Sequence, residues 1–374
     1  MTGVVESKEE LRRRRANPED TDNETVVSNR ANTVEVVFES SGRFSLPQKM
    51  NFYDFNGRNV SDLTMSKRED LLENLISILN ERKHPDFEKV DIVNATTEEL
   101  LEILLNIKNT FTGSIFKHYF MCECQNDKLE NDKQASEANV DISTLKFTSI
   151  EEADENLRKK YKEKLEKASP EVWTLYLKKK YGEDFDTSSI TIDEEISKYS
   201  IGDNLSIVDK GNVFQFDFFR IKHLIKAKKY VENKYYFTIK QINNRKEHNV
   251  PLAESKERKM KELDLIAEKK EKDLISYARA LALVSKNSNR IETDEERIAE
   301  YENIGGTVLI DFLSLLDDIK FGITDEREIK CNLCGESKKR SLRRELDVLE
   351  LLPTNTSSEG ERGNVGTINI FIGA

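Results

Sequence analysis

The sequence predicts an α+β chain, predominantly helical, with short N-terminal strands, helical bundle segments and a cysteine zinc-knuckle base that carries a helical insertion. Three observations lead there. The 374 residues include only 6 prolines and 15 glycines, few turn formers for a fold built on sheet. Ser/Thr-x-x-Glu phrases recur ahead of apolar residues at helical spacing, the pattern that opens a helix. The four cysteines fall in two close pairs far apart in the chain, Cys122 with Cys124 and Cys331 with Cys334.

Taken in order, residues 1–32 are polar and of mixed charge, without periodicity, and are expected to form a flexible arm. Its run Arg12 to Arg15 could grip an acidic partner or nucleic acid, and the leading reading is a solvated stretch or the basic end of a short helix. A first α+β part is expected over 33–124. Val34, Val36 and Phe38 alternate as a half-buried strand requires, and Asn56-Gly57 reads as a turn between two strands. A box of Ser66 with Glu69 should open a helix carrying Leu71, Leu72, Leu75, Ile76 and Leu79, closed by His84-Pro85. Thr96 with Glu99 should open a second, carrying Leu100, Leu101, Leu104 and Leu105.

A charged helical insertion is expected over 125–202. It begins with a polar connector at 125–148 and continues as a charged helix from Ser149. Ser169-Pro170 starts the next helix, with Trp173 expected in a core, and Thr191 with Glu194 starts a short one. Over 203–352 a helical part should close on the second cysteine pair. It holds an aromatic run at Val213–Phe219, a basic amphipathic helix from Arg220 to Tyr230, and a β-rich stretch Tyr235–Ile239. A long helix at 254–285 follows, then one opened by Thr293 with Glu296 and broken at Gly305-Gly306, then one with Val308, Phe312, Leu315, Leu316 and Ile319 on one face. Residues 353–374 read as a flexible tail ending in an alternating strand, Ile368–Ile372.

Charge narrows the function. Lys and Arg number 59 against 70 Asp and Glu, a formal net charge of −11, so the chain is no general nucleic-acid binder. No apolar run reaches the roughly 18–20 residues that span a bilayer, and the opening Met1–Arg15 lacks the apolar middle of a secretory signal. A cytosolic setting with reduced thiols is therefore expected. No phosphate loop, dinucleotide fingerprint or nucleophile elbow is present, and His84, His118, His223 and His248 form no paired pattern. The expectation is a protein without catalysis and without a small-molecule substrate.

The cysteines carry the specific chemistry. Cys331-Asn332-Leu333-Cys334-Gly335 is a zinc-knuckle spelling, in which two-residue spacing lets both sulfurs reach one tetrahedral ion. Zinc takes four ligands, and Cys122 and Cys124 are the remaining thiols, although their one-residue spacing is tight. One structural Zn²⁺ on Cys122, Cys124, Cys331 and Cys334 is the leading expectation. It would staple the ends of a long insertion and leave no open position for water. A redox pair and unligated buried thiols are the alternatives, and His118, close to Cys122, is a possible substitute ligand whose ordinary role is packing.

Certain phrases bear a resemblance. They are Leu46-Pro47, Leu63-Thr64-Met65 before a charged segment, Asp311-Phe312-Leu313 through Leu316-Asp317-Asp318, Phe321-Gly322-Ile323, and the knuckle at Cys331. Together they resemble the T-even-type phage baseplate hub and hub-assembly family over residues 33–124 and 203–340. The Cys122/Cys124 spacing is narrower than that family's. The resemblance implies a structural or assembly subunit of a contractile-tail baseplate, made in the host cytoplasm and acting in the virion tail baseplate or an assembly intermediate. Its partners would be other baseplate, hub and tail proteins, with no membrane. The alternative is a zinc-ribbon nucleic-acid or transcription-associated protein, motivated by the knuckle and by the basic stretches at 12–15 and 220–230.

Overall fold

The alternation of Val34 and Val36 with polar neighbours starts the fold as expected. The computed structural model describes residues 33–66, 70–125, 134–197, 201, 204–209, 211–245, 252–324 and 326–342. Strand β1 (Thr33–Val37) pairs antiparallel with β2 (Lys49–Tyr53), in a register that sets Val34 opposite Phe52 and Val36 opposite Met50. These four side chains form the buried face of the hairpin. The arm at 1–32 with Arg12–Arg15, and the terminal strand at 368–372, lie outside the described residues.

Asn56-Gly57 is not a turn between strands. It opens helix α1 (Gly57–Met65): the Asn56 side chain accepts from the Asn59 N–H at 2.9 Å, and the Asn59 side chain accepts from the Asn56 N–H at 3.1 Å. Asparagine caps a helix as well as it makes a turn, and reciprocal capping by Asn59 decides between them. Ser66 in turn closes α1, and the next helix, α2 (Leu71–Arg82), begins behind Asp70, so Ser66 is no helix start. Helix α2 buries Leu71, Leu75, Ile76, Ile78 and Leu79. Helix α3 (Thr97–Phe111) has the expected box, Thr96 with Glu99, and is buried along most of its length.

The expected polar connector at 125–148 contains strands. β3 (Ile115–Phe120) pairs with β4 (Ser136–Asp141), and β5 (Phe147–Thr148) pairs with β10 (Gly322–Ile323). A single β-branched residue, Val140, stands in β4, so pairing with β3 and not local propensity makes it a strand. Helices α4 (Ile150–Glu166), α5 (Pro170–Tyr181) and α6 (Ile192–Ser197) follow, with side-chain caps at Ser149 and Ser169 and reciprocal bonds between Thr191 and Glu194. Trp173 is half-buried and stacks on Tyr176, ring centroids 5.6 Å apart, rather than lying in a core.

An antiparallel sheet of four strands comes next, in the order β6 (Asn204–Asp209), β7 (Asn212–Asp217), β8 (Leu283–Lys286), β9 (Asn289–Arg290). Between β7 and β8 runs a helical hairpin, α7 (Ile221–Asn244) and α8 (Leu252–Leu281). The stretch Tyr235–Ile239 lies inside α7 and is not strand. Its Tyr235 hydroxyl and the Lys234 ammonium both donate to Asp273 of α8, and Arg245 pairs with Glu262 further along, so a helical partner overrides the β preference of these residues. Helix α9 (Asp294–Glu302) has the Thr293 and Glu296 box, and α10 (Gly306–Asp318) buries Val308 and Phe312, with Ile319 buried just beyond its end. The chain ends its described part in the hairpin β11 (Glu326–Lys330) and β12 (Ser337–Ser341).

Buried apolar residues form two cores. The first joins β1–β4 and α1–α3 to the start of α7, the end of α8, β10, β11 and Leu342 just past β12. The second joins α4 to the β6–β9 sheet, α9 and α10, with Phe214, Phe216, Phe312 and Phe321 among its members. Strand β5, where the segment 33–148 ends, pairs with β10, where the segment 322–342 begins, and in between α7 and α8 also pack against the first core. Two segments of the first core distant in sequence, 33–148 and 322–342, therefore meet at one end of a long excursion. Among the described residues no helix is long and apolar enough to cross a membrane.

Candidate metal centre

Strand pairing brings the two cysteine pairs together. Cys122 and Cys124 sit just past β3, the latter in a single helical turn at Glu123–Gln125. Cys331 follows β11 directly, and the turn through Cys334 leads to β12. Gly335 has φ +78, in the left-handed region that favours glycine, and its N–H donates to the Cys331 carbonyl at 2.9 Å. The turn thereby points both knuckle sulfurs the same way.

The sulfur atoms of Cys122, Cys124, Cys331 and Cys334 all lie within 4.8 Å of one another. Cys122 is 3.8 Å from Cys334, and Cys124 is 4.0 Å from Cys331, pairs separated by 212 and 207 residues. Zinc–sulfur bonds of about 2.3 Å imply sulfur–sulfur edges of about 3.8 Å in a tetrahedron. The donor set and its dimensions are therefore compatible with a single zinc ion. Cys122 and Cys331 are buried, while Cys124 and Cys334 are exposed, so the cluster has one face in the first core and one toward solvent.

Hydrogen bonds reach the sulfurs. The Ser136 hydroxyl lies 3.3 Å from Cys331 Sγ, the Leu333 N–H donates to the same sulfur at 3.4 Å, and Gln125 Nε2 donates to Cys124 Sγ at 3.1 Å. The Ser136 contact is the main reason the Cys331 thiol is held down to about 6, below its ordinary value. Ser136 and Gln125 carry no signal in the sequence: both fall in or beside the stretch that reads as connector.

The basic strand β12 binds the two pairs to each other. Lys338 forms an ion pair with Glu123, Arg340 donates to the Met121 carbonyl at 2.9 Å, and its guanidinium stands 4.2 Å from the centre of the Phe120 ring. Lys339 pairs with Glu326 across the hairpin. Three lysines of the basic helix are engaged too: Lys222 with Asp217, Lys226 with Asp294, and Lys228 with Asp70 and Glu73. These cations serve internal pairs, as expected of an acidic chain with snorkelling lysines.

His118 is fully buried in β3, opposite Ala138, and stacks on Phe120 at 5.9 Å. It is not one of the members of the sulfur cluster. Among the described residues no second group of histidines, cysteines or carboxylates converges in this way. No family model, no curated protein and no solved structure matches the chain.

Proposed function

We propose that the chain is a non-catalytic protein–protein adaptor, stapled by one structural zinc ion on Cys122, Cys124, Cys331 and Cys334, and that it serves as a structural or assembly subunit in the hub region of a contractile-tail phage baseplate. The observation that carries the staple is the meeting of four sulfurs from segments 207 and 212 residues apart. Bound zinc supplies folding free energy, on the order of 10 kcal/mol of apparent binding in small domains. The residues of this chain do the rest: two knuckles present thiolates, and β12 ties the knuckles together through Lys338 and Arg340. Four thiolates leave no open position on the ion, which favours a structural role over a catalytic one.

The baseplate part of the reading rests on the resemblance carried by Leu46-Pro47, Leu63-Thr64-Met65, the phrase from Asp311 to Asp318, Phe321-Gly322-Ile323 and the knuckle. Leu46, Leu63, Phe312 and Phe321 are all buried, so those phrases include fold-forming residues. Docking faces for other baseplate, hub or tail proteins are available in Val172 and Leu175 on α5, Tyr236 and Phe237 on α7, and Ile310 on α10, each more than half exposed. Mass spectrometry of purified tails and of baseplate intermediates tests this part. Presence in either is expected, and absence from both removes it. Metal analysis of the purified protein tests the staple, with about one zinc per chain expected.

A further inference from the structure

We infer that Ser136 is a positioning residue of the metal centre, its hydroxyl donating to the Cys331 sulfur and so setting how tightly the four-sulfur site holds its cation; the inference rests on the zinc reading above. Ser136 is fully buried at the start of β4, where it pairs in register with Phe120. That register puts it at the end of the β3–β4 ladder from which the chain runs on into Cys122. Its oxygen accepts from the Asn332 N–H at 3.0 Å, which fixes its place against the second knuckle.

The hydroxyl has one proton and two acceptors in reach, Cys331 Sγ at 3.3 Å and the Asn332 side-chain oxygen. A thiolate on a divalent ion keeps negative charge, whereas the amide oxygen is neutral. Hydrogen bonds to charged acceptors are roughly twice as strong, so the hydroxyl would donate to a metal-bound sulfur in preference to the amide oxygen. With a thiol in place of the thiolate the preference turns to Asn332. Other donors to sulfur, Leu333 N–H and Gln125 Nε2 and the backbone N–H groups of Cys124, Cys334 and Glu336, belong to the knuckle turns or stand next to a ligand in sequence. Ser136 comes from outside both pairs and links the β3–β4 ladder to the β11–β12 hairpin. Outer-shell partners of this kind are typically worth 10- to 100-fold in metal affinity.

The test uses the full chain as wild type, Ser136→Ala and Ser136→Thr, with zinc competed against a chelator and cobalt(II) as the spectroscopic probe. Ser136→Ala is expected to weaken zinc binding by about 10- to 100-fold. It should also move the sulfur-to-cobalt charge-transfer band to longer wavelength, because a sulfur relieved of its hydrogen bond is the stronger electron donor. Ser136→Thr, which keeps the hydroxyl, should retain both properties. If alanine prevents folding, Thr against Val makes the same comparison at nearly equal volume. Wild-type affinity and an unmoved band in Ser136→Ala overturn the inference, as does an equal loss in Ser136→Thr, which signals packing alone. Wild-type protein that takes up neither metal overturns the zinc reading together with this inference. A metal-binding wild type with an indifferent alanine variant overturns this inference alone.

Discussion

Glu102 is a carboxyl buried among other carboxyls. It lies on α3 at 1% exposure, facing Glu39 beyond the end of β1 and its own helix neighbours Glu98 and Glu99. One carboxyl oxygen accepts from the Glu39 N–H at 3.1 Å, and the other has no hydrogen-bond partner among the described residues. Burial first, and the three neighbouring carboxyls after it, push Glu102 well above the ordinary carboxylate range, against the lowering effect of the Glu39 N–H. Glu99 is shifted in the same direction by burial but is better supported, with Ser40 Oγ at 2.6 Å and the Thr96 N–H at 2.8 Å. A carboxyl raised in the folded state imposes no penalty while it is protonated in both states. It costs stability progressively as pH rises above the ordinary carboxylate range toward the folded value. Urea unfolding should therefore show the wild type losing stability between pH 5 and pH 8 relative to Glu102→Gln. The variant's advantage should grow by about 1.4 kcal/mol per pH unit above the ordinary carboxylate range until the folded value is reached, one proton's worth of linkage. Parallel pH profiles for the two proteins would contradict this assignment.

At the scale of the element, β10 depends on a glycine. Gly322 has φ +71, and a Cβ placed there meets Glu98 Cβ at 3.1 Å and Glu102 Oε1 at 3.2 Å. Gly322→Ala combines backbone strain with crowding against α3, so a loss of about 1–3 kcal/mol is expected in thermal or urea unfolding. A neutral result would mean that the return of the chain beside β5 does not need this close approach. Element boundaries also show what sequence can and cannot say. Thr96 with Glu99, Thr191 with Glu194, and Thr293 with Glu296 were legible because a hydroxyl and a carboxylate three residues apart have one common use, closing the first turn of a helix. Asn56-Gly57 reads as a hairpin turn by its dipeptide, and the partner Asn59 makes it a helix cap instead. Tyr235–Ile239 looked like strand by residue type, yet Asp273 on the facing helix holds it helical. β4 had no local signature at all; its identity comes from β3 alongside it.

For the whole molecule, the account turns on two cores and one closure. The paired strands β5 and β10 bring the segments 33–148 and 322–342 of the first core together, and the sulfur cluster joins the same two segments. This convergence was legible because zinc needs four ligands and the chain has four cysteines. The residues that surround the sulfurs were not, since Ser136, Gln125 and Arg340 act through contacts that no spacing rule encodes. If the closure holds the base together, replacing both Cys331 and Cys334 by Ser should abolish zinc uptake and cost the base its fold, seen as loss of native circular dichroism and rapid proteolysis. The most direct measurement is zinc K-edge absorption fine structure on the purified full-length protein. The account predicts one zinc per chain with four sulfur neighbours at about 2.3 Å and no nitrogen or oxygen in the first shell. A metal-free protein, or a zinc ion with two sulfurs and light-atom ligands, would contradict it.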